Sequence, residues 1–185
     1  KQEKKRVVPK PRKIKKVLIF MGGSDTNNLT LKIIKIIKAY YFRKIDFNIV
    51  VGSNNQKHRE IKNISKKNKN ISIYHDLPNL KKLILNSDIA ISSGGTFIWE
   101  CIFFGLPSLI INQSKNQIYN SKILNNISAI KLYKNSLNDL KNLKFFLEKF
   151  IMKKNFVVPK KLYDQIDGNG TSRIVKIVKD KLNEN

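Results

Sequence analysis

Two short stretches hold the residue types that could grip a ligand. Gly22-Gly23-Ser24-Asp25 ends the aliphatic run Lys16 to Met21, and Gly94-Gly95-Thr96-Phe97-Ile98-Trp99-Glu100 follows the run Ile89 to Ser92. A glycine pair lets a ligand come close to the backbone, and a helix opening just beyond it presents amides that attract an anion. Glu100 is the only charged side chain between Asp88 and Lys115. A helix beginning near Thr96 places Glu100 about one turn in, facing the crevice, with Phe97, Ile98 and Trp99 packing around the helix. A carboxylate accepting ribose hydroxyls gains roughly 1.5 to 3 kcal/mol per charge-assisted bond. The chemistry expected is therefore capture of a phosphate-bearing ligand, with a nucleoside diphosphate the natural fit. The competing account is that the glycines relieve crowding at two turns and Glu100 answers only the helix dipole, worth ~0.3 to 1 kcal/mol.

Apolar runs alternate with helical spacing along the chain, which is what must position these residues. Strands are expected at Lys16 to Met21, Phe47 to Gly52, Ile71 to Tyr74, Ile89 to Ser92 and Pro107 to Ile111, with a short sixth at Ile130 to Leu132. Leu29, Ile33, Ile36, Ile37 and Tyr40 recur at helical spacing after the first strand, and Lys32, Lys35 and Lys38 fall on the solvent side. Helices are expected around Gln56 to Lys67, Asn79 to Leu85, after the fourth and fifth strands, Leu137 to Met152 and Thr171 to Leu182. Strands this apolar are buried on both faces, as parallel strands under helices are. The fold class is α/β, a Rossmann-like doubly wound parallel sheet. In strand order 3-2-1-4-5-6 the first and fourth strands are neighbours, so the two glycine pairs sit at the two lips of the ligand crevice.

What is missing narrows the ligand. The first loop is not G-x-G-x-x-G, and Gly52-Ser53 stands where dinucleotide sites carry an acid at the end of the second strand, which disfavours NAD. No G-x-x-x-x-G-K-[ST] occurs. His58 and His75 are the only histidines, and neither has metal-ligand spacing with another His or Cys, so no metal site is expected. His58 is expected at the surface; His75, just after the third strand, either borders a base or is a plain loop residue.

The chain's 185 residues and +24 formal charge bound the remaining classes. One domain is expected over residues 16–185, preceded by a basic linker at residues 1–15 within a longer parent. The charge would raise nucleic acid as a partner, but only Arg6, Arg12, Arg43, Arg59 and Arg173 carry guanidinium, while lysine, asparagine and isoleucine crowd the chain together. DNA and RNA are discounted on that composition. Cys101 is alone in an apolar segment, so no intramolecular disulfide can form and a buried, inert thiol is expected. No apolar run is long enough to cross a membrane, and a soluble, cytoplasmic protein is expected.

These motifs carry a resemblance. "GGSD", "SSGGTFIWECIFFGLPSLII" and "NQIYNS" are similar to the C-terminal nucleotide-binding half of GT-B glycosyltransferases of the lipid II N-acetylglucosaminyltransferase type. "GGSDTNNLTLK", the form "SGGTFIWE…GLPSLIIN…NQ" and the late "DGNGTSRIV" more closely resemble the UDP-2,4-diacetamido-2,4,6-trideoxy-β-L-altropyranose hydrolases of pseudaminic acid biosynthesis. The likeness runs from about Val17 to Val178.

The resemblance implies a UDP site. Gly22, Gly23 and Ser24 would border the diphosphate with Gly94, Gly95, Thr96 and Phe97, and Glu100 would hold the ribose. His75 and Asp76 would lie by the uracil, and Asn116 and Gln117 would face the sugar or diphosphate. The turn Asp167, Gly168, Asn169 either approaches the cleft between domains or simply starts the last helix. It further implies inverting attack by water on a UDP-linked amino sugar with UDP leaving, without a cofactor or metal, in a bacterial surface-polysaccharide pathway. The general base would belong to an N-terminal domain outside this chain, leaving no catalytic residue here and UDP binding without turnover. A UDP-sugar glycosyltransferase is the alternative, and a basic nucleic-acid-binding module a distant one.

Overall fold

The computed structural model describes residues 13–38, 42–66, 68–152 and 157–183. Six parallel strands form one sheet: β1 (Lys16–Phe20), β2 (Asp46–Val51), β3 (Ile71–His75), β4 (Ile89–Ser92), β5 (Ser108–Ile111) and β6 (Lys131–Tyr133). Their spatial order is β3-β2-β1-β4-β5-β6, the doubly wound arrangement expected from the alternation of runs and helices. The basic segment at 1–12 and Tyr40 lie outside the described residues.

Eight helices connect and cover the described strands: α1 (Leu29–Ile37), α2 (His58–Ser65), α3 (Lys81–Leu85), α4 (Phe97–Phe103), α5 (Ile118–Asn126), α6 (Leu140–Met152), α7 (Lys160–Gln165) and α8 (Gly170–Asn183). A short 3-10 turn, Lys115–Gln117, leads into α5. The sequence reading did not anticipate α7, which has only six residues after Pro159 and too little length to show a period.

β4 and β5 are buried at every position, because helices cover both faces of the sheet there. Val17, Ile19, Ile49 and Ile91 point to one face with Leu29, Ile33 and Ile37 of α1 and Leu143 and Leu147 of α6. Leu18, Val50 and Ala90 point to the other, with Ile84 of α3 and Phe97 and Cys101 of α4. Alternate residues of one strand thus serve two cores, as a period of two requires. Lys32, on the polar side of α1, donates to the carbonyl oxygen of Leu137 at 3.3 Å and so ties α1 to the approach of α6. Asp88 accepts from the amides of Lys15 and Lys16, both at 2.8 Å, and anchors the start of β1 beside β4.

The helix α8 behaves differently. No residue in it is buried, and Ile174, Val175, Ile177, Val178 and Leu182 form an apolar arc that touches no core among the described residues. Its first turn is clipped by Asp167, which accepts from Arg173 and from the amide of Asn169 at 3.0 Å. The pairing holds the Asp167 carboxyl well below the usual carboxylate range.

Candidate functional site

Every parallel strand points its carboxyl end to the same edge of the sheet, and that edge collects the loops singled out in the sequence. The register Phe20↔Ser92 sets the ends of β1 and β4 level, so the loop at Gly22-Gly23 and the loop at Gly94-Gly95 face one another across the strand break.

Within each pair the two glycines have different jobs. Gly22 sits at φ +85°, where only glycine rests without strain, and a Cβ there would press on the Ser93 hydroxyl at 3.3 Å. Gly94 lies under the start of α5: a Cβ would fall 2.2 Å from Asn112 Oδ1 and 2.7 Å from Gln117 Cβ. Among the described residues a Cβ on Gly23 would meet nothing within 4 Å, and one on Gly95 only Ser93 Oγ at 4.0 Å. In each pair the first glycine has neighbours crowding its Cβ position, and the second has room for a Cβ.

Asp25 fixes the first loop from behind. It is buried, sits at φ 45°, and its two carboxylate oxygens accept from the amides of Leu29 and Thr30, both at 2.9 Å, capping α1. Burial pushes its pKa up, while the bonds to Thr30 and Leu29 and the charge of Lys32 pull it down. At the second loop the first helical donors are Ile98 to Gly95 and Trp99 to Thr96, so the amides of Gly95, Thr96 and Phe97 precede the helix's own bonding and face outward with its positive end.

Between these loops and the far strands lies a depression of ≈ 360 Å³ lined by Phe20, Gly23, Val50 to Ser53, Asp76 to Leu80 and Glu100. Of the residues anticipated from the sequence, it gathers Gly23, Asp76 and Glu100 directly. Gly52, Ser53, Leu77, Pro78 and Asn79 join them without having been anticipated as site residues. Asp76 takes φ 48° and donates its amide to the Val51 carbonyl oxygen at 3.0 Å, which turns the chain sharply over the end of β2. Glu100 loses part of its hydration beside this depression, which raises its pKa. Trp99 departs from expectation: it is 44% exposed rather than packed, while Phe97 and Ile98 are buried.

The other anticipated residues sit at the margins. His75 does not line the depression; its ring lies tilted at 44° against that of His58, centroids 5.1 Å apart, so the two histidines treated separately in the sequence are neighbours. Gln117 turns inward, its Oε1 accepting from the amides of Gln113 at 2.8 Å and Gly94 at 3.2 Å. Asn116 receives a bond from the Ser114 hydroxyl at 2.5 Å. Gly168, at φ +77°, lies against Phe103 at the C-terminal end of α4, so the Asp167 to Asn169 turn is at the opposite end of that helix from the glycine loop. Cys101 is fully buried; burial and the nearby Glu100 charge push its thiol up to about 12 against a bond to Ser108, and it is inert as a nucleophile. Among the described residues no three His, Cys, Asp or Glu side chains gather as metal ligands.

The glycosyltransferase family 28 C-terminal domain model matches residues 17–176, from the first residue of the core of β1 into α8. The chain belongs to that family. Among curated proteins, this family 28 domain is 32% identical over 111 residues to the Methanocaldococcus jannaschii protein MJ1062, covering 58% of this chain and 23% of the relative. It is 29% identical over 147 residues to the UDP-N-acetylglucosamine--N-acetylmuramyl-(pentapeptide) pyrophosphoryl-undecaprenol N-acetylglucosamine transferase of Caldicellulosiruptor saccharolyticus, covering 75% of this chain and 40% of that protein. In structure it superposes on Acinetobacter baumannii MurG with a TM-score of 0.65 at 16% identity, over 91% of this chain and 50% of MurG. The pneumococcal O-GlcNAc transferase GtfA, solved with UDP and GlcNAc, gives 0.54 at 16% identity, over 97% of this chain and 38% of that one. The domain therefore has the fold of the C-terminal halves of GT-B proteins and spans half or less of the length of these relatives.

Proposed function

We propose that this domain is the UDP-holding half of a UDP-sugar hydrolase of the pseudaminic acid type. The observation that carries the nucleotide part is the convergence of Gly23, Gly52, Asp76 and Glu100 on one depression beside two glycine loops. A nucleoside fits the depression, with Glu100 accepting its ribose hydroxyls and the Asp76 to Asn79 turn at its base. The diphosphate lies between Gly23 and the outward amides of Gly95, Thr96 and Phe97, whose fixed dipoles stabilise charge developing on the leaving UDP. UDP is part of the substrate, so no separate cofactor is required by this scheme. Water attacks the anomeric carbon with inversion, activated by a base outside this chain, and the product sugar leaves as UDP is retained on the loops.

Support for hydrolysis over transfer comes from the stretches Gly22 to Lys32 and Asp167 to Val175, which resemble the hydrolases. The second reading, a UDP-sugar glycosyltransferase of the lipid II N-acetylglucosaminyltransferase type, is favoured by the 29% identity to the Caldicellulosiruptor enzyme. The two share the whole of this half and differ in whether water or an acceptor hydroxyl receives the sugar. Calorimetric titration of the chain and of its Glu100→Ala variant with UDP, ADP and NAD tests the common core. UDP preferred over ADP and NAD, and weakened by the substitution, supports it; equal affinities, or no change in the variant, overturn it.

A further inference from the structure

We propose that Gln113 is a positioning residue for the diphosphate, an inference that rests on the nucleotide reading above. Gln113 lies two residues past the end of β5, and its own strand does not neighbour β1, because β4 runs between them. It nevertheless reaches the first glycine loop twice. Its Nε2 donates to the Met21 carbonyl oxygen at 2.6 Å, and its own carbonyl oxygen accepts from Asn27 Nδ2 at 3.2 Å. Its amide donates to Gln117 Oε1 at 2.8 Å, the same oxygen that accepts from the Gly94 amide at 3.2 Å. One residue therefore ties the loop after β1 to the loop after β4 across the crevice.

The bond to Met21 has a directional consequence. The peptide between Met21 and Gly22 is trans, so its carbonyl and its N–H point opposite ways. Holding the carbonyl toward β5 turns the Gly22 N–H away from β5, toward the β2 side where the depression lies. Gly22 has no Cβ to restrain this peptide, so the bond from Gln113 to Met21 supplies a restraint that a side chain at position 22 does not. Among the described residues Gln113 Oε1 is buried without a partner, and exchanging the amide end for end would set oxygen against the Met21 oxygen. The side chain thus keeps an uncompensated acceptor in order to keep its donor on Met21, where an apolar chain of equal length would fill the same space without that cost.

The test compares wild type, Gln113→Met, which keeps the length and loses the donor, and Gln113→Asn, one methylene too short to reach Met21. Each is titrated with UDP, uridine and inorganic pyrophosphate, and its thermal midpoint is recorded. Both variants are expected to bind UDP and pyrophosphate about tenfold more weakly, with uridine affinity unchanged within about twofold. A role confined to packing would weaken all three ligands in parallel or lower the midpoint without touching UDP affinity, and either result overturns the proposal. A wild-type chain that binds UDP no better than uridine overturns the underlying nucleotide reading instead, an outcome separate from any effect of the substitutions. Should one variant fail to fold, the other decides.

Discussion

Gly52, at the end of β2, packs directly on Gly23: a Cβ built on Gly52 would fall 2.4 Å from the Gly23 Cα and 2.4 Å from its carbonyl oxygen. The neighbour is backbone, so it cannot swing aside as a long side chain would. This contact explains why a glycine follows the second strand in place of the acid of a dinucleotide site, and it makes the first glycine loop depend on a strand it does not follow. Gly52→Ala is expected to cost about 1 to 3 kcal/mol, the usual penalty of overpacking, and to displace the loop so that UDP affinity falls as well. Urea unfolding and calorimetry measure both. Gly23→Ala, with nothing within 4 Å of its Cβ, is expected to leave stability within about 0.5 kcal/mol while putting a methyl into the depression and weakening UDP.

The second pair predicts the same asymmetry. Gly94→Ala meets Gln117 Cβ at 2.7 Å, close to a backbone that cannot retreat, and is expected to destabilise the fold by about 1 to 3 kcal/mol. Gly95→Ala has room and is expected to affect ligand affinity more than stability. Equal thermal midpoints for the two variants would contradict this division of labour.

Glu100 gives a pH dependence with a definite sign. Desolvation raises its pKa, so in the free protein its protonated form is favoured by folding: that contribution is fully present below the unfolded value and is lost as pH rises through the folded one. The ionised form is the better acceptor for ribose hydroxyls. UDP affinity is therefore expected to fall on acidification, starting above the ordinary carboxylate value. Glu100→Gln is expected to bind roughly ten- to a hundredfold more weakly at neutral pH and to lack this step. The terminal phosphate of UDP titrates in both proteins, so the difference between their pH profiles isolates Glu100.

Asp167 works with the opposite sign. Its folded pKa is depressed by Arg173 and by the Asn169 amide, so the clip on α8 stabilises above the unfolded value of 3.8 and is lost as pH falls through the lower folded value. Asp167→Asn is expected to speed amide exchange at the start of α8 at neutral pH and to leave UDP affinity unchanged, since the turn lies at the far end of α4 from the glycine loop. Salt should weaken the clip, because Arg173 is exposed and Asp167 is only half-buried.

The two glycine pairs, the lone carboxylate and the strand order were legible in the chain because each leaves a local mark. A buried parallel strand is a short aliphatic run, a helix repeats its apolar residues every three to four positions, and a charge within an apolar segment stands out. Even α8, none of whose residues is buried, was visible from Ile174, Val175, Val178 and Leu182, since amphipathic spacing is a property of the helix alone. Short α7 and the inward turn of Gln117 left no such mark.

By itself, then, the sequence determined a doubly wound α/β domain with two glycine loops at one edge and a carboxylate one turn behind the second. Only the tertiary structure decided which glycine in each pair is packed and which is open, that Gly52 supports Gly23, that His58 lies on His75, and that Gln113 spans to Met21. Those facts depend on the ends of β1, β2, β3, β4 and β5 and the loops after them meeting at one edge. Residues up to 92 positions apart become neighbours there, and no periodicity along the chain encodes such a distance.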